Sequence, residues 1–181
     1  MLVQLEFDPK EASYQFLHEI ALYETNPDNL DEIYDVVTSC ELRKRDCSDW
    51  DCPTERRCSE ICVKEAIATN QNVSMITSKK LVLEQDEILQ AIIAARTNYD
   101  EVIDVLINSV YVYVLKNLLE NPNLKKKHFN RIFKNFLNGK YDFNCGYNQR
   151  RRISEFEFVN RLRRHKFASV SQVEKLAKSV G

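Results

Sequence analysis

The chain has 181 residues, a length at which a domain buries about 70% of the surface that its unfolded chain exposes. It contains only three glycines and four prolines, and an all-β fold needs many turn residues of these types. We therefore expect an all-α protein that forms a single domain over residues 1–181. No apolar stretch is long enough to cross a membrane and no secretory signal is visible, so we predict a cytoplasmic protein without membrane contact.

The net charge of −1 conceals an uneven distribution of charge along the chain. Residues 1–100 contain 10 bases and 20 acids, a net charge of −10, whereas residues 101–181 contain 16 bases and 7 acids, a net charge of +9. All of the latter bases lie at or after Lys116, so residues 116–181 form a basic C-terminal part. This split predicts one acidic and one basic surface, although ordinary solvated helix faces would also explain it.

Capping signals and helical periodicity predict a series of helices. Asp8-Pro9-Lys10-Glu11 is typical of a helix start, and this first helix is expected to end near residue 24. A second helix is expected from Asn29 to about residue 40, and Pro53 is expected to begin a third that ends near residue 68. Residues 41–57 are polar and indicate an inserted cysteine-rich loop between the early helices. Later helices are expected over residues 85–95, 99–107, 109–119, 124–137, 154–166 and from 169 onward.

Residues 110–114 alternate in the manner of a β-strand, with Val110, Val112 and Val114 separated by tyrosines. A single strand would have no partner with which to pair its backbone. We therefore interpret this segment as helical.

An asparagine-containing signature recurs where helices are expected to begin. It occurs as Asn70-Gln71-Asn72-Val73, Thr97-Asn98-Tyr99 and Asn121-Pro122-Asn123-Leu124, with looser copies at residues 26–30 and 169–170. If Asn29, Asn72, Asn98, Asn123 and Ser169 are equivalent N-caps, the copies lie 43, 26, 25 and 46 residues apart. An apolar residue follows four positions after the cap in four copies: Ile33, Ile76, Val102 and Val173. Such spacing predicts stacked helical repeats, an α-solenoid-like fold that offers a binding surface.

These Asn-Pro-Asn-type starts, each followed by an amphipathic helix, resemble the leucine-rich-repeat-variant family and, more broadly, HEAT-like short α-helical repeats. The resemblance covers residues 26–137 and the last helix, and Asn121-Pro122-Asn123-Leu124 is its closest motif. It implies a right-handed helical stack with a curved face. Some members of that family also carry an N-terminal cysteine cluster that holds an iron–sulphur centre.

Five of the six cysteines fall within 23 residues, at positions Cys40, Cys47, Cys52, Cys58 and Cys62. Cys58 and Cys62 are one helical turn apart, and together with Cys47 and Cys52 they could surround one zinc ion or an iron–sulphur cluster. Cys40 is the expected substitute ligand. No Cys-x2-Cys pair is present, so disulfides and unligated thiols stay open as alternatives.

No catalytic constellation is visible in the sequence. The three histidines, His18, His128 and His165, belong to no metal-binding motif, and three glycines cannot build a phosphate-binding loop. The acid pairs of the chain suit the first turns of helices, where the helix dipole favours negative charge. We therefore expect a protein that is not an enzyme.

Basic residues cluster in the C-terminal part, where aromatic residues such as Tyr141 and Phe143 lie between the clusters. Clustered cations bind phosphates and exposed rings stack on bases, so we predict that this part binds DNA or RNA. A protein-interaction module that docks through its acidic N-terminal half is the alternative, with a second copy of the chain as one such partner. The expected phosphate contacts are Lys125, Lys126, Lys127, Arg131, Lys134, Arg150, Arg151, Arg152, Arg161, Arg163, Arg164 and Lys166.

Overall fold

The computed structural model describes residues 9–39, 60–143 and 153–179, and all regular secondary structure in these ranges is α-helical. The all-α prediction is therefore confirmed for this part of the chain. None of the described helices is both long enough and apolar enough to traverse a bilayer. The helices are α1 Tyr14–Tyr23, α2 Pro27–Thr38, α3 Glu60–Thr69, α4 Met75–Leu83, α5 Glu87–Arg96, α6 Asp100–Leu106, α7 Val112–Glu120, α8 Lys126–Leu137, α9 Glu155–Arg164 and α10 Val170–Ser179.

The first two helices begin at different residues from those predicted. Ser13 caps α1, because its hydroxyl accepts a hydrogen bond from the N–H of Phe16 at 3.3 Å. The helix therefore starts several residues after Pro9. In α2 the cap is Asn26, whose side chain accepts from the N–H of Asp28 at 3.1 Å. The predicted cap Asn29 lies inside that helix and is buried.

The prediction that asparagines 72, 98 and 123 cap helices was wrong. The residues at the N-caps of α4, α6 and α8 are Ser74, Tyr99 and Lys125. At the apolar position of the signature, Ile33 and Val102 are fully buried, whereas Val173 is half-buried and Ile76 is 59% exposed. The last copy behaves as predicted, since the Ser169 hydroxyl accepts from the N–H of Gln172 at 3.3 Å.

Asparagine instead joins neighbouring helices through their C-terminal ends. Asn121 is the C-cap of α7 and is 2% exposed. Its amide donates to the carbonyls of Ala94 at 2.8 Å and Thr97 at 2.9 Å, where α5 ends. Its Oδ1 accepts from the N–H of Asn123 at 2.8 Å. One side chain thus satisfies carbonyl groups that a helix end leaves without an intrahelical partner.

Asn70, which follows α3, repeats this arrangement against α1. Its amide donates to the carbonyls of Ala21 and Glu24, each at 2.8 Å, and its Oδ1 accepts from the N–H of Asn72 at 2.8 Å. The same three hydrogen bonds therefore occur at both sites, and two of them connect α3 to α1 and α7 to α5.

The helices divide into two compact units, an N-terminal unit (Met1–Glu84) with α1–α4 and a C-terminal unit (Gln85–Gly181) with α5–α10. In the N-terminal unit α1 packs mainly on α3, and α2 contacts both α3 and α4. In the C-terminal unit α5 packs mainly on α7, α7 also contacts α9, and α9 contacts α10. Each unit thus brings together helices that are not adjacent in the chain.

A polar network ties the helices of the N-terminal unit together. The Tyr34 hydroxyl donates to the Glu84 carboxylate at 2.7 Å. The ammonium of Lys64 lies 2.6 Å from a carboxylate oxygen of Glu84 and 2.6 Å from one of Glu60. Lys64 is only 5% exposed, so its charge depends on these two acids.

Candidate nucleic-acid interface

The N-terminal end of α8 is basic, but two of its three lysines are paired within the molecule. The ammonium groups of Lys125 and Lys127 lie 2.9 Å and 2.7 Å from the carboxylate of Asp100, in the first turn of α6. Hydrogen bonds from these lysines lower the pKa of Asp100 to about 2. Lys125 and Lys127 therefore hold α8 beside α6, and a phosphate would have to compete with Asp100 for them.

Arg131, one turn further along α8, forms an ion pair with Asp104, one turn further along α6. His128 lies between these pairs and is fully buried. Its Nε2 is 3.9 Å from an oxygen of Asp100 and 3.6 Å from one of Asp104. Burial lowers the pKa of His128, which favours the neutral imidazole.

In α9, Arg161 is also paired within the molecule. Its guanidinium contacts Glu120 at the end of α7 and donates to Glu157 at 3.1 Å. Ser154 caps α9, accepting from the N–H of Glu157 at 3.1 Å, while the carboxylate of Glu157 pairs with Arg161. Arg161 therefore connects α9 to α7.

Other predicted phosphate contacts have no carboxylate partner among the described residues. Lys126 and Lys134 of α8 and Arg164 of α9 are exposed to solvent. Arg163 is half-buried, and its Nε has no hydrogen-bond partner in the described part of the chain. Lys166 is exposed with its ammonium 5.1 Å from the centre of the Phe167 ring. Arg150, Arg151 and Arg152 lie outside the described residues.

The face opposite the cations of α8 is apolar. Phe129 and Ile132 are fully buried, and Phe133 and Phe136 are 6% and 7% exposed. Helix α8 ends as expected at Asn138, before Gly139 with a φ of +65°.

An open groove of about 510 Å³ lies between the end of α7 and α9. This groove was not predicted from the sequence, although Phe156 on the exposed side of an amphipathic helix is a signal for it, since this ring is 65% exposed. The Arg161 ion pairs cross the groove, so its walls combine apolar and paired charged groups. The residues that line it are Leu119, Glu120, Phe156, Glu157, Asn160, Arg161, Arg164 and His165.

Of the predicted metal ligands, the structure describes Cys62 alone, which lies in the first turn of α3 and is half-buried. Cys40, Cys47, Cys52 and Cys58 lie outside the described residues. Within residues 9–39, 60–143 and 153–179, no three histidine, cysteine, aspartate or glutamate side chains form a group that could hold a metal ion.

The unequal distribution of charge follows the two compact units. The N-terminal unit contains 9 bases and 17 acids, a net charge of −8, and the C-terminal unit contains 17 bases and 10 acids, a net charge of +7. Comparisons with protein-family models, curated proteins and solved structures find no match.

Proposed function

We propose that this chain is a non-enzymatic helical-repeat protein that binds nucleic-acid phosphates through its basic C-terminal unit. The observation that supports this function is the set of cations there that lack a carboxylate partner among the described residues, including Lys126, Lys134 and Arg164. A cation without a partner can contact a phosphate and release counterions without first breaking an ion pair.

The repeated asparagine bonds support the proposed stack of helical hairpins. Asn70 and Asn121 make the same contacts in the two units, each with the end of the helix two positions earlier in the chain. Within each unit the same contact thus joins two helices that are not adjacent in the chain, as expected of a repeated structural element.

The ion pairs separate the predicted phosphate contacts into two groups with different roles. Lys125, Lys127, Arg131 and Arg161 each pair with a carboxylate of the chain, and we assign them to holding helices together. Lys126, Lys134, Arg163, Arg164 and Lys166, together with Arg150 to Arg152, are assigned to phosphate contacts.

Anisotropy titrations with fluorescent single-stranded and duplex oligonucleotides at about 50 mM and about 200 mM salt would test this assignment. The variant Lys134→Ala/Arg164→Ala removes two unpaired cations, and Lys127→Ala/Arg131→Ala is the matched control that removes two paired ones. On duplex DNA, each lost phosphate contact should reduce the log–log salt slope by about 0.9. The first variant should show this reduction, and the control should show a smaller one. Arg150/Arg151/Arg152→Ala should also show the reduction in salt slope relative to the wild type. Absence of binding by the wild type at low salt would refute the proposal.

A second candidate function is protein docking through the acidic N-terminal unit. This unit exposes large apolar side chains as well as charge: Tyr23 is 78% exposed, Leu83 60% and Ile76 59%. Aromatic and aliphatic groups on an exposed surface are typical of protein interfaces. Docking that depends on them should vary little with salt, in contrast to phosphate binding.

For the cysteines, we propose one zinc ion or iron–sulphur cluster bound by Cys47, Cys52, Cys58 and Cys62, with Cys40 as the substitute ligand. The support is five thiols confined to one segment of a chain with few other cysteines. Elemental analysis and an absorption spectrum of the purified protein would distinguish zinc from iron. Disulfides in the mass spectrum, with neither metal present, would refute it.

A further inference from the structure

His165 directly follows α9, as Asn70 directly follows α3 and Asn121 directly follows α7. It is the C-cap of α9, and its Nδ1 accepts from the N–H of Phe167 at 3.3 Å, two residues ahead. Asn70 and Asn121 accept from Asn72 and Asn123 in the same way.

The backbone bonds of the three turns agree as well. The carbonyl of each of these residues accepts from the N–H three positions later, at 3.4 Å for Asn70, 3.1 Å for Asn121 and 2.9 Å for His165. Helices α4, α8 and α10 begin five residues after Asn70, Asn121 and His165, respectively. The turn from α9 to α10 is thus a third copy of the same local structure.

His165 also lies beside the end of α7, the helix two positions earlier in the chain, just as Asn70 lies beside α1 and Asn121 beside α5. The carbonyl of Leu119, near the end of α7, raises the pKa of the imidazole, and both residues line the groove between α7 and α9. Because Nδ1 accepts from the N–H of Phe167, the ring proton of the neutral form belongs on Nε2. The ring is stacked on Phe129 of α8, with centroids 4.5 Å apart and planes inclined by 10°.

An asparagine side chain does not titrate, but an imidazole does. We propose that His165 is an acid-sensitive cap that holds the turn between α9 and α10, so that its protonation opens this turn and loosens the α9–α10 hairpin while α5–α8 stay folded. The added proton would sit on Nδ1, which then cannot accept from the N–H of Phe167. The amide and the charged ring, both donors, would face each other across the turn.

The charges around His165 do not offset this effect. Among the described residues, no carboxylate lies within ion-pair distance of its ring, and Arg161 already pairs with the two acids that line the same groove. Helix α8 presents the uncharged ring of Phe129. The charged groups on the surrounding elements are Glu120 at the end of α7, Glu157, Arg161 and Arg164 of α9, and the adjacent Lys166.

The direction of titration agrees with the geometry. Burial and the neighbouring Lys166 lower the pKa of His165, against the raising effect of the Leu119 carbonyl. The unfolded chain therefore binds the proton more readily than the folded protein does. Stability contributed by neutral His165 is present above the unfolded pKa of about 6.5 and is lost as the pH falls toward the folded value.

Hydrogen exchange measured by mass spectrometry at about pH 7.5 and about pH 5.5, corrected for intrinsic rates, would locate this loosening. In the wild type, the protection of α9 and α10 should fall more than that of α5–α8, by at most about tenfold, the limit at the lower pH for a group with an unfolded pKa of about 6.5. The matched variant His165→Asn restores the residue found in the other two turns, and its hairpin should lose no more protection than α5–α8. His18→Asn, at a surface histidine, should behave as the wild type.

A second measurement keeps the proposal testable if His165→Asn does not fold. Nitrogen chemical shifts of the wild-type imidazoles should show Nε2 of His165 protonated at neutral pH, and protonation of Nδ1 should coincide with loss of protection of the Phe167 amide. His128 is the competing titratable group, because it is buried in α8. Loss of protection that begins in α6 and α8, or that is equal across all helices, would overturn the proposal, as would an unchanged hairpin.

Discussion

Replacement of Asn121 by alanine should destabilise the C-terminal unit strongly for a single polar substitution. The side chain makes three hydrogen bonds while 2% exposed, two to carbonyls at the end of α5 and one from the N–H of Asn123. A net value of about 1 kcal/mol per hydrogen bond gives a loss of about 3 kcal/mol, and unsatisfied buried carbonyls would increase it. This is a large part of the roughly 5–15 kcal/mol that stabilises a typical domain.

Asn123→Ala is the matched control for that substitution. Its side chain donates one exposed hydrogen bond, to the carbonyl of Arg96 at 3.2 Å. Its removal should therefore cost less than about 1 kcal/mol. Asn121→Asp keeps the size of the side chain but places a carboxylate against two carbonyls, so it should cost at least as much as Asn121→Ala.

Urea unfolding followed by circular dichroism would measure these changes. Hydrogen exchange of α5 and α7 would assign them to the C-terminal unit, because a chain with two compact units need not unfold in one step. If Asn121→Ala costs no more than Asn123→Ala, the bonds between α7 and α5 do not stabilise the fold and the reasoning fails.

Two further substitutions test charged groups in the two units. Asp100→Asn should lower the free energy of unfolding at neutral pH. Because the pKa of Asp100 is lowered from 3.8 to about 2, the wild type should lose the stability that this carboxylate contributes as the pH falls between these two values. The variant should show no such loss. Unfolding titrations across this pH range would show it, and parallel curves for both proteins would contradict it. Lys64→Met should cost about 2 kcal/mol in urea unfolding, because the carboxylates of Glu60 and Glu84 lose their shared cation yet keep partial contact with water. An unchanged midpoint and slope would show that the buried ion pairs contribute nothing net.

The helical content of the chain could be predicted because it depends on local properties. Few glycines, few prolines and an apolar repeat such as Phe129, Ile132 and Phe136 act within one or two turns. Helix starts were less predictable, since several residues near a start can serve as the cap. Ser13 caps α1 although Asp8-Pro9 presents the stronger signal in sequence.

The role of the asparagines was misread for a related reason. Asparagine is favoured both at helix N-caps and at helix C-termini, so Asn121-Pro122-Asn123 fits either interpretation. Asn121 contacts Ala94 and Thr97, which lie 27 and 24 residues earlier in the chain, so these contacts depend on how α5 and α7 pack. The ion pair of Lys127 with Asp100 also joins residues 27 positions apart in the chain. It removes Lys127 from the cations that are free to contact a phosphate.

The equivalent bonds of Asn70 and Asn121 close segments of different length, which shows how many residues can connect the bonded helices. Asn70 reaches a carbonyl 49 residues earlier in the chain, and Asn121 makes the same bond across 27 residues. For flexible chains, closing the longer loop costs only about 0.5 kcal/mol more in entropy. The additional residues lie between α2 and α3, so lengthening that connection should change the conformational entropy of folding little.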